Sequence, residues 1–479
     1  MQIFKEFRTL AFLITAFCSV ATISPVTAQA QELPLVVTTT LKQAKIPVKN
    51  VGVFVQEVDA ARPMLSFNAA APFNPASVMK LITTDAALEL LGPTFNWKTQ
   101  AYVEGALSGG VLTGDLAIKG SGDPKLVMEN FWMFLRQIRA KGVRDIRGNV
   151  VLDRSAFEEN VYDPAQFDGD PQKPYNVGPD ALLLNYKTIA LRFIPDEATG
   201  QISVTMEPPL VGYNLVAPRL SKEAVCGDWQ SKLQADVGVS TAAFNGSYPA
   251  ACGEKVWYIH PYRMNSTQYF GGVLRQMWSD LGGTISGKVV PGNVASSASV
   301  FAEWQSPAVP EVIRDINKYS NNVMARQVLL TIGAQMSQAP GSTQRGASAI
   351  RNWLSGKGIG ADELVIENGA GLSRNERVAP NTLGQVLVAA FHSPVMPEYI
   401  ASMPLVGYDG TMRKRLRSES VAGQAHIKTG SLNDVRSVAG FVQASSGKMY
   451  VVVCLINHPN APFGQAAQDA LLQWVFDKG

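Results

Sequence analysis

The chain has 479 residues, a formal charge of +3 and only four cysteines. That length accommodates about two or three domains, and the near balance of charge argues against nucleic acid as the main partner. The four histidines show no metal-ligand spacing and support no catalytic triad.

Residues 1–30 read as a secretory signal. Lys5 and Arg8 give a positive start, Leu10 to Val20 is mostly apolar, and Val26-Thr27-Ala28 and Ala28-Gln29-Ala30 offer small-residue cleavage sites. The apolar run is too short for a retained span, so the mature chain reads as exported, to a periplasm or cell-wall compartment. Cys18 falls in this segment, and Phe17 before it does not suit a lipoprotein processing site. A strand is expected over 51–58, with a hairpin partner over 62–68. Asn74 and Pro75 then suit the cap and first position of a helix that stops at Leu91-Gly92-Pro93.

From about residue 96 the texture changes. Strand is expected over 98–104, a hairpin with glycine turns over 105–116, a helix over 127–141 and a strand over 150–153. Gly120-Ser121-Gly122-Asp123-Pro124 is a turn that lacks the lysine and hydroxyl of a phosphate loop. Residues 191–206 alternate as a strand, 226–252 are turn-rich, and a helix over 272–281 leads to a strand over 284–290. In an oxidising compartment Cys226 and Cys252 can pair, whereas Cys454 lies in an apolar strand and reads as a buried thiol. Helices are expected over 310–316, 323–332, 346–354 and 383–391. Strands over 424–429, 437–443 and 449–456 and a helix over 464–476 close the chain. That last helix has a polar face that is not strongly basic, so it reads as docked on the fold, with at most peripheral membrane contact. The whole is α/β, an antiparallel sheet covered by helices.

Three short motifs carry chemistry. Ser77 and Lys80 are three residues apart at the start of an apolar helix, hence on one face. A serine hydroxyl needs a base, and a lysine with a lowered pKa can serve. Ser320-x-Asn322 reads as the opening of a helix after Tyr319, offering a proton relay and an amide to hold a substrate amide. Lys428-Thr429-Gly430 ends a strand, where a lysine and a threonine can hold a carboxylate and a glycine lets a substrate backbone approach. Alone, each recurs by chance: Ser445 and Lys448 repeat the first spacing, and Ser373/Asn375 and Ser431/Asn433 repeat the second.

Together, in this order, the three motifs are those of penicillin-binding proteins and serine β-lactamases. The chain resembles the low-molecular-mass class C penicillin-binding proteins, which are D-alanyl-D-alanine carboxypeptidases and endopeptidases. The resemblance extends to Gly120-Ser121-Gly122-Asp123-Pro124, Tyr175-Asn176-Val177-Gly178-Pro179, Asn368-Gly369-Ala370-Gly371-Leu372-Ser373-Arg374 and Gly410-Thr411-Met412. The 243 residues (320 − 77) between Ser77 and Ser320 leave room for the large insertion of that class. The resemblance implies a β-lactamase-like catalytic domain from residues 31–97 and 299–479. An inserted domain would come from 98–175 and 261–298, and a nested domain from 176–260 with both Cys226 and Cys252. It implies Ser77 as nucleophile, Lys80 as base, Ser320 as proton relay, Asn322 as substrate anchor, and Lys428 with Thr429 as carboxylate holders. Gly430 would admit the substrate, and the backbone N–H groups of Ser77 and Ser431 would form the oxyanion hole. Substrates would be peptidoglycan stem peptides or muropeptides, β-lactams would be covalent inhibitors, and no metal or organic cofactor is called for. The alternatives are a β-lactamase or esterase on the same serine, or a catalytically silent peptidoglycan-binding protein.

Overall fold

Burial alternates along the central strands and so gives the sheet two apolar faces. Along Val51–Glu57, Phe54 faces one core while Val51, Val53 and Val55 face another; along Met449–Asn457, Val451, Val453 and Leu455 face the first, and Val452, Cys454 and Ile456 the second. A strand covered on both sides reads as a continuous apolar run, as these do. The computed structural model describes residues 32–159 and 161–479, so the expected signal peptide lies outside the described residues.

The first sheet has five antiparallel strands in the order Ala425–Leu432, Val435–Gln443, Met449–Asn457, Val51–Glu57 and Leu65–Phe67. Helices Met79–Leu90, Val309–Tyr319, Asn322–Ser337, Thr343–Gly356 and Pro380–Phe391 bury their apolar sides in the first core. Helices Leu35–Gln43 and Gln465–Lys478 close the other face, the latter through Ala467, Leu471, Leu472 and Val475. Among the described residues no helix is long and apolar enough to cross a membrane.

A second sheet runs Thr284–Ile285, Asp145–Ile146, Val111–Gly120, Lys98–Ser108 and Val300–Gln305, with Val150–Asp153 also on Val111–Gly120 and Val289–Pro291 beside it. Helices Met128–Ala140 and Ser266–Asp280 pack into its core. That core continues into a three-stranded sheet of Lys255–Ile259, Ile189–Asp196 and Gln201–Glu207, and into short strands around Phe244 and Tyr248. Cys226 and Cys252 are joined by a disulfide, and Cys454 is a buried free thiol.

Several elements differ from expectation. The hairpin turns at Gly109-Gly110, while Gly105 and Gly114 face each other across the ladder, where a Cβ on either would strike the partner backbone. The alternating stretch 191–206 is two strands, broken by a turn after Asp196. The helix expected from 272 begins at Ser266, where Asn265 and Gln268 form a reciprocal cap. Its Gly271 and Gly272 press against Val289 and Leu210 instead of ending it. Helices Leu35–Gln43 and Met396–Ser402 were not expected.

Candidate active site

Ser77 sits in a single 3-10 turn, Ala76–Val78, and the α-helix proper begins at Met79. Asn74 is not the cap of that helix. Its Oδ1 accepts from the Ala76 N–H at 2.9 Å, and its amide donates to the Ser373 carbonyl at 2.9 Å. Ala76 is held in the left-handed region at φ 46°, a strained state for alanine that persists only where the surroundings impose it. The loop Gly369–Gly371 imposes it: a Cβ on Gly371 would lie 1.8 Å from the Ala76 carbonyl oxygen.

Lys80 follows on the helix, fully buried. Its Nζ donates to Ser77 Oγ at 3.0 Å, to Asn322 Oδ1 and to the carbonyl oxygen of Ala370. Burial pushes its pKa well below the ordinary lysine value; Lys428 and Arg326 push the same way, and Glu376 opposes them.

Ser320 does not open a helix. It ends Val309–Tyr319 in the left-handed conformation, and Asn321 caps the next helix by accepting from the Met324 N–H at 3.0 Å. Asn322 is therefore the first helical residue, aimed at Lys80. The tight reversal between the two helices presents both side chains.

Lys428 lies on the edge strand of the first sheet, fully buried, its Nζ 2.9 Å from Ser320 Oγ and 2.6 Å from the Thr429 carbonyl oxygen. Burial pulls its pKa down to about 7. Thr429 Oγ1 bonds Thr411 Oγ1 at 2.8 Å. The outer edge of the strand is covered at its start, where Ile427 N–H donates to Pro404. By the alternation of an antiparallel strand, the N–H groups of Thr429 and Ser431 face the same open side. Among the described residues no strand pairs with that edge beyond His426. A Cβ on Gly430 would come within 2.9 Å of the Ser77 nitrogen, which puts the strand end directly against the serine. Ser77 is half-buried and Ser431 exposed. A cleft of about 940 Å³ runs from Ser320 and Asn322 to Tyr175, Tyr186 and Met206 of the intervening region.

The segments noted only for their resemblance turn out to support these groups. Asn368–Arg374 supplies the Ala370 carbonyl, and Gly410–Met412 supplies Thr411. Tyr175 and Val177 carbonyls accept from Arg326 Nη1 at 3.1 and 2.7 Å; Gly122 and Asp180 carbonyls accept from Gln327 Nε2 at 3.2 and 2.8 Å. Ala370, Thr411, Arg326 and Glu376 were missed as individual contributors. A backbone carbonyl leaves no signature in sequence, Thr411 and Glu376 come from loops far from the serine, and Arg326, one turn after Asn322, carries no motif of its own. The repeated spacings do not reproduce the motif groups: Ser445 to Lys448 form a turn, buried Ser373 bonds Glu367 and accepts from the Asn375 and Glu376 N–H groups, and Ser431 is the exposed end of the Lys428 strand.

Sheet and helices have the fold of the penicillin-recognising serine enzymes, and the comparisons with known proteins give the family. Residues 35–477 match the model described as the D-Ala-D-Ala carboxypeptidase 3 (S13) family, and the chain belongs to it. It is 28% identical to a D-alanyl-D-alanine carboxypeptidase of Actinomadura sp. (strain R39) over 440 residues, 88% of this chain and 80% of that one. It is 25% identical to the D-alanyl-D-alanine carboxypeptidase DacB of Haemophilus influenzae over 418 residues, 85% of each. The crystal structure of penicillin binding protein 4 from Haemophilus influenzae superposes with a TM-score of 0.76 at 23% identity, covering 91% of this chain and 99% of that one.

Proposed function

We propose that the protein is an exported serine DD-peptidase that cleaves peptidoglycan stem peptides, as carboxypeptidase, endopeptidase or both. One observation carries the reading: two hydrogen-bonded groups, Ser77–Lys80–Asn322 and Ser320–Lys428, lie beside an open strand edge. Membership of the family supports it.

In the proposed reaction Lys80 takes the proton of Ser77, whose Oγ attacks the carbonyl carbon between two D-alanine-type residues. Charge develops on the carbonyl oxygen, which accepts from the N–H groups of Ser77 and Ser431. The C–N bond then breaks, and Ser320 passes a proton to the departing amine. Lys428 supplies positive potential, and with Thr429 holds the terminal carboxylate. The Asn322 amide donor, free of Lys80, holds the substrate amide, and Gly430 admits its backbone. Water hydrolyses the resulting ester. β-Lactams would enter by the same attack and leave a slowly released acyl group. The catalytic part would comprise residues 31–97 and 299–479, the inserted part 98–175 and 261–298, and the nested part 176–260. The separate apolar cores of the two sheets support the split between catalytic and inserted parts, except that Val300–Gln305 is a strand of the second sheet; residues 176–260 share the second core with the inserted part.

The test is incubation with a pentapeptide muropeptide and with cross-linked muropeptides. Released D-alanine identifies the carboxypeptidase and resolved cross-links the endopeptidase. Ser77→Ala is expected to abolish both, together with covalent labelling by penicillin. Stable labelling of that variant at another serine would overturn the assignment, and rapid steady-state hydrolysis of a penicillin would make the protein a β-lactamase.

A further inference from the structure

Glu376 is fully buried in the catalytic region, and the mechanism above does not use it. Its Oε1 accepts three backbone N–H groups: Glu367 at 3.0 Å, Asn368 at 2.9 Å and Gly369 at 3.1 Å. Its Oε2 has no hydrogen-bond partner among the described residues. Those three amides open the loop that runs along the Ser77 turn. Gly369 gives its carbonyl to Thr83 Oγ1 at 2.7 Å, Ala370 gives its carbonyl to Lys80, and Gly371 presses on Ala76. The Asn368 side chain ties the loop to itself, accepting from Ala370 N–H and donating to the Leu372 carbonyl, each at 2.9 Å. One carboxylate thus organises a loop that touches residues 76, 80 and 83.

We propose that Glu376 is a positioning residue for Lys80, clamping residues 367–371 so that the Ala370 carbonyl meets the Lys80 amine, and supplying the buried negative charge among Lys80, Lys428 and Arg326. This rests on the reading of Ser77 and Lys80 as nucleophile and base. The charged groups facing Lys80 are Lys428, Arg326 and Glu376, and those facing Glu376 are Lys80 and Arg326. The nearby Glu367 is engaged by Ser373 and Asn375. Burial raises the Glu376 pKa above the ordinary carboxyl value; the three N–H donors on one oxygen and the Lys80 amine act against it and favour the ionised carboxyl. Three cations with no buried anion would repel one another in a water-poor pocket.

The two parts of the role separate experimentally. Glu376→Gln keeps the size and an oxygen for the amides but removes the charge. The neutral form of Lys80 is then favoured, and the acid limb of acylation by a fluorescent penicillin moves to lower pH, by about one unit. Glu376→Ala orphans the amides and is expected to slow acylation at every pH by more than about tenfold. Both rates are read as label lost in Ser77→Ala, so failure of the serine assignment appears separately. A folded Glu376→Gln protein whose pH profile superposes on wild type would overturn the proposal. Wild-type protein carrying 13Cδ-glutamate gives a second reading that needs no variant: the Glu376 carboxyl should stay ionised across the acid limb, and finding it protonated there would also overturn the proposal.

Discussion

At the scale of single residues, the site is governed by buried amines. Lys80 and Lys428 are both fully buried, and desolvation is the leading cause of the lowered pKa of each. For Lys80 this favours the neutral amine that a base requires. For Lys428 the same physics would limit the carboxylate binding proposed for it. The free enzyme carries the Lys428 charge below about pH 7 and loses it above. KM for a peptide ending in a free carboxylate is therefore expected to rise above that pH, by up to about tenfold per unit. The same peptide as its C-terminal amide lacks the attraction and should show no such limb. Initial rates on the two substrates between pH 6 and 9 check this, and parallel profiles would remove Lys428 from carboxylate recognition. The residue types at 77, 80, 320, 322 and 428 were legible in sequence because their chemistry is local to a few positions. The partners Ala370 and Glu376 were not, because a carbonyl has no residue identity and Glu376 matters only through the loop it ties down.

At the scale of elements, the close approaches decide what each segment can do. The strand end at Gly430 lies so near the Ser77 turn that a methyl group would meet Pro75 O at 2.8 Å and Ser77 N at 2.9 Å. Gly430 is not in the left-handed region, so Gly430→Ala carries no backbone strain of its own. We expect the variant to fold, with acylation slowed about a hundredfold or more by the crowded oxyanion donors. Circular dichroism and penicillin labelling measure the two separately. Gly371 is a different case, combining φ 76° with a 1.8 Å clash. Gly371→Ala should destabilise the fold by about 2 kcal/mol or more, read as a lower midpoint in urea. The strands of the first sheet were readable from their apolar runs. The Ser77 turn and the Ser320 reversal were misplaced by one element boundary each, because both sit in left-handed backbone that the surrounding packing imposes on alanine and serine.

At the scale of the molecule, Arg326 and Gln327 on a helix of the first core bond backbone carbonyls of the intervening region, so the cleft wall is tied to the helix that begins at Asn322. The disulfide belongs to the second core, where Cys252 is buried and Cys226 packs against it. Closing a span of 26 residues in sequence is worth about 3–4 kcal/mol. The double variant Cys226→Ser/Cys252→Ser should thus lower the thermal stability of the intervening region while penicillin labelling at Ser77 persists. Loss of labelling at temperatures where the variant is folded would show that this region shapes the site itself.

By itself the sequence determined the antiparallel sheet, most of the helices that cover it and the candidate reactive groups, because burial period and residue chemistry are written locally; the helix Leu35–Gln43 it did not. It also determined that a long stretch of chain separates the serine from its partner motifs. Only the tertiary structure decided that Lys428 meets Ser320, that Asn322 and Ala370 share the Lys80 amine, and that Glu376 lies buried within their electrostatic reach. The hydrogen bonds among them join residues 108 to 290 positions apart, and their energies depend on the water that folding excludes.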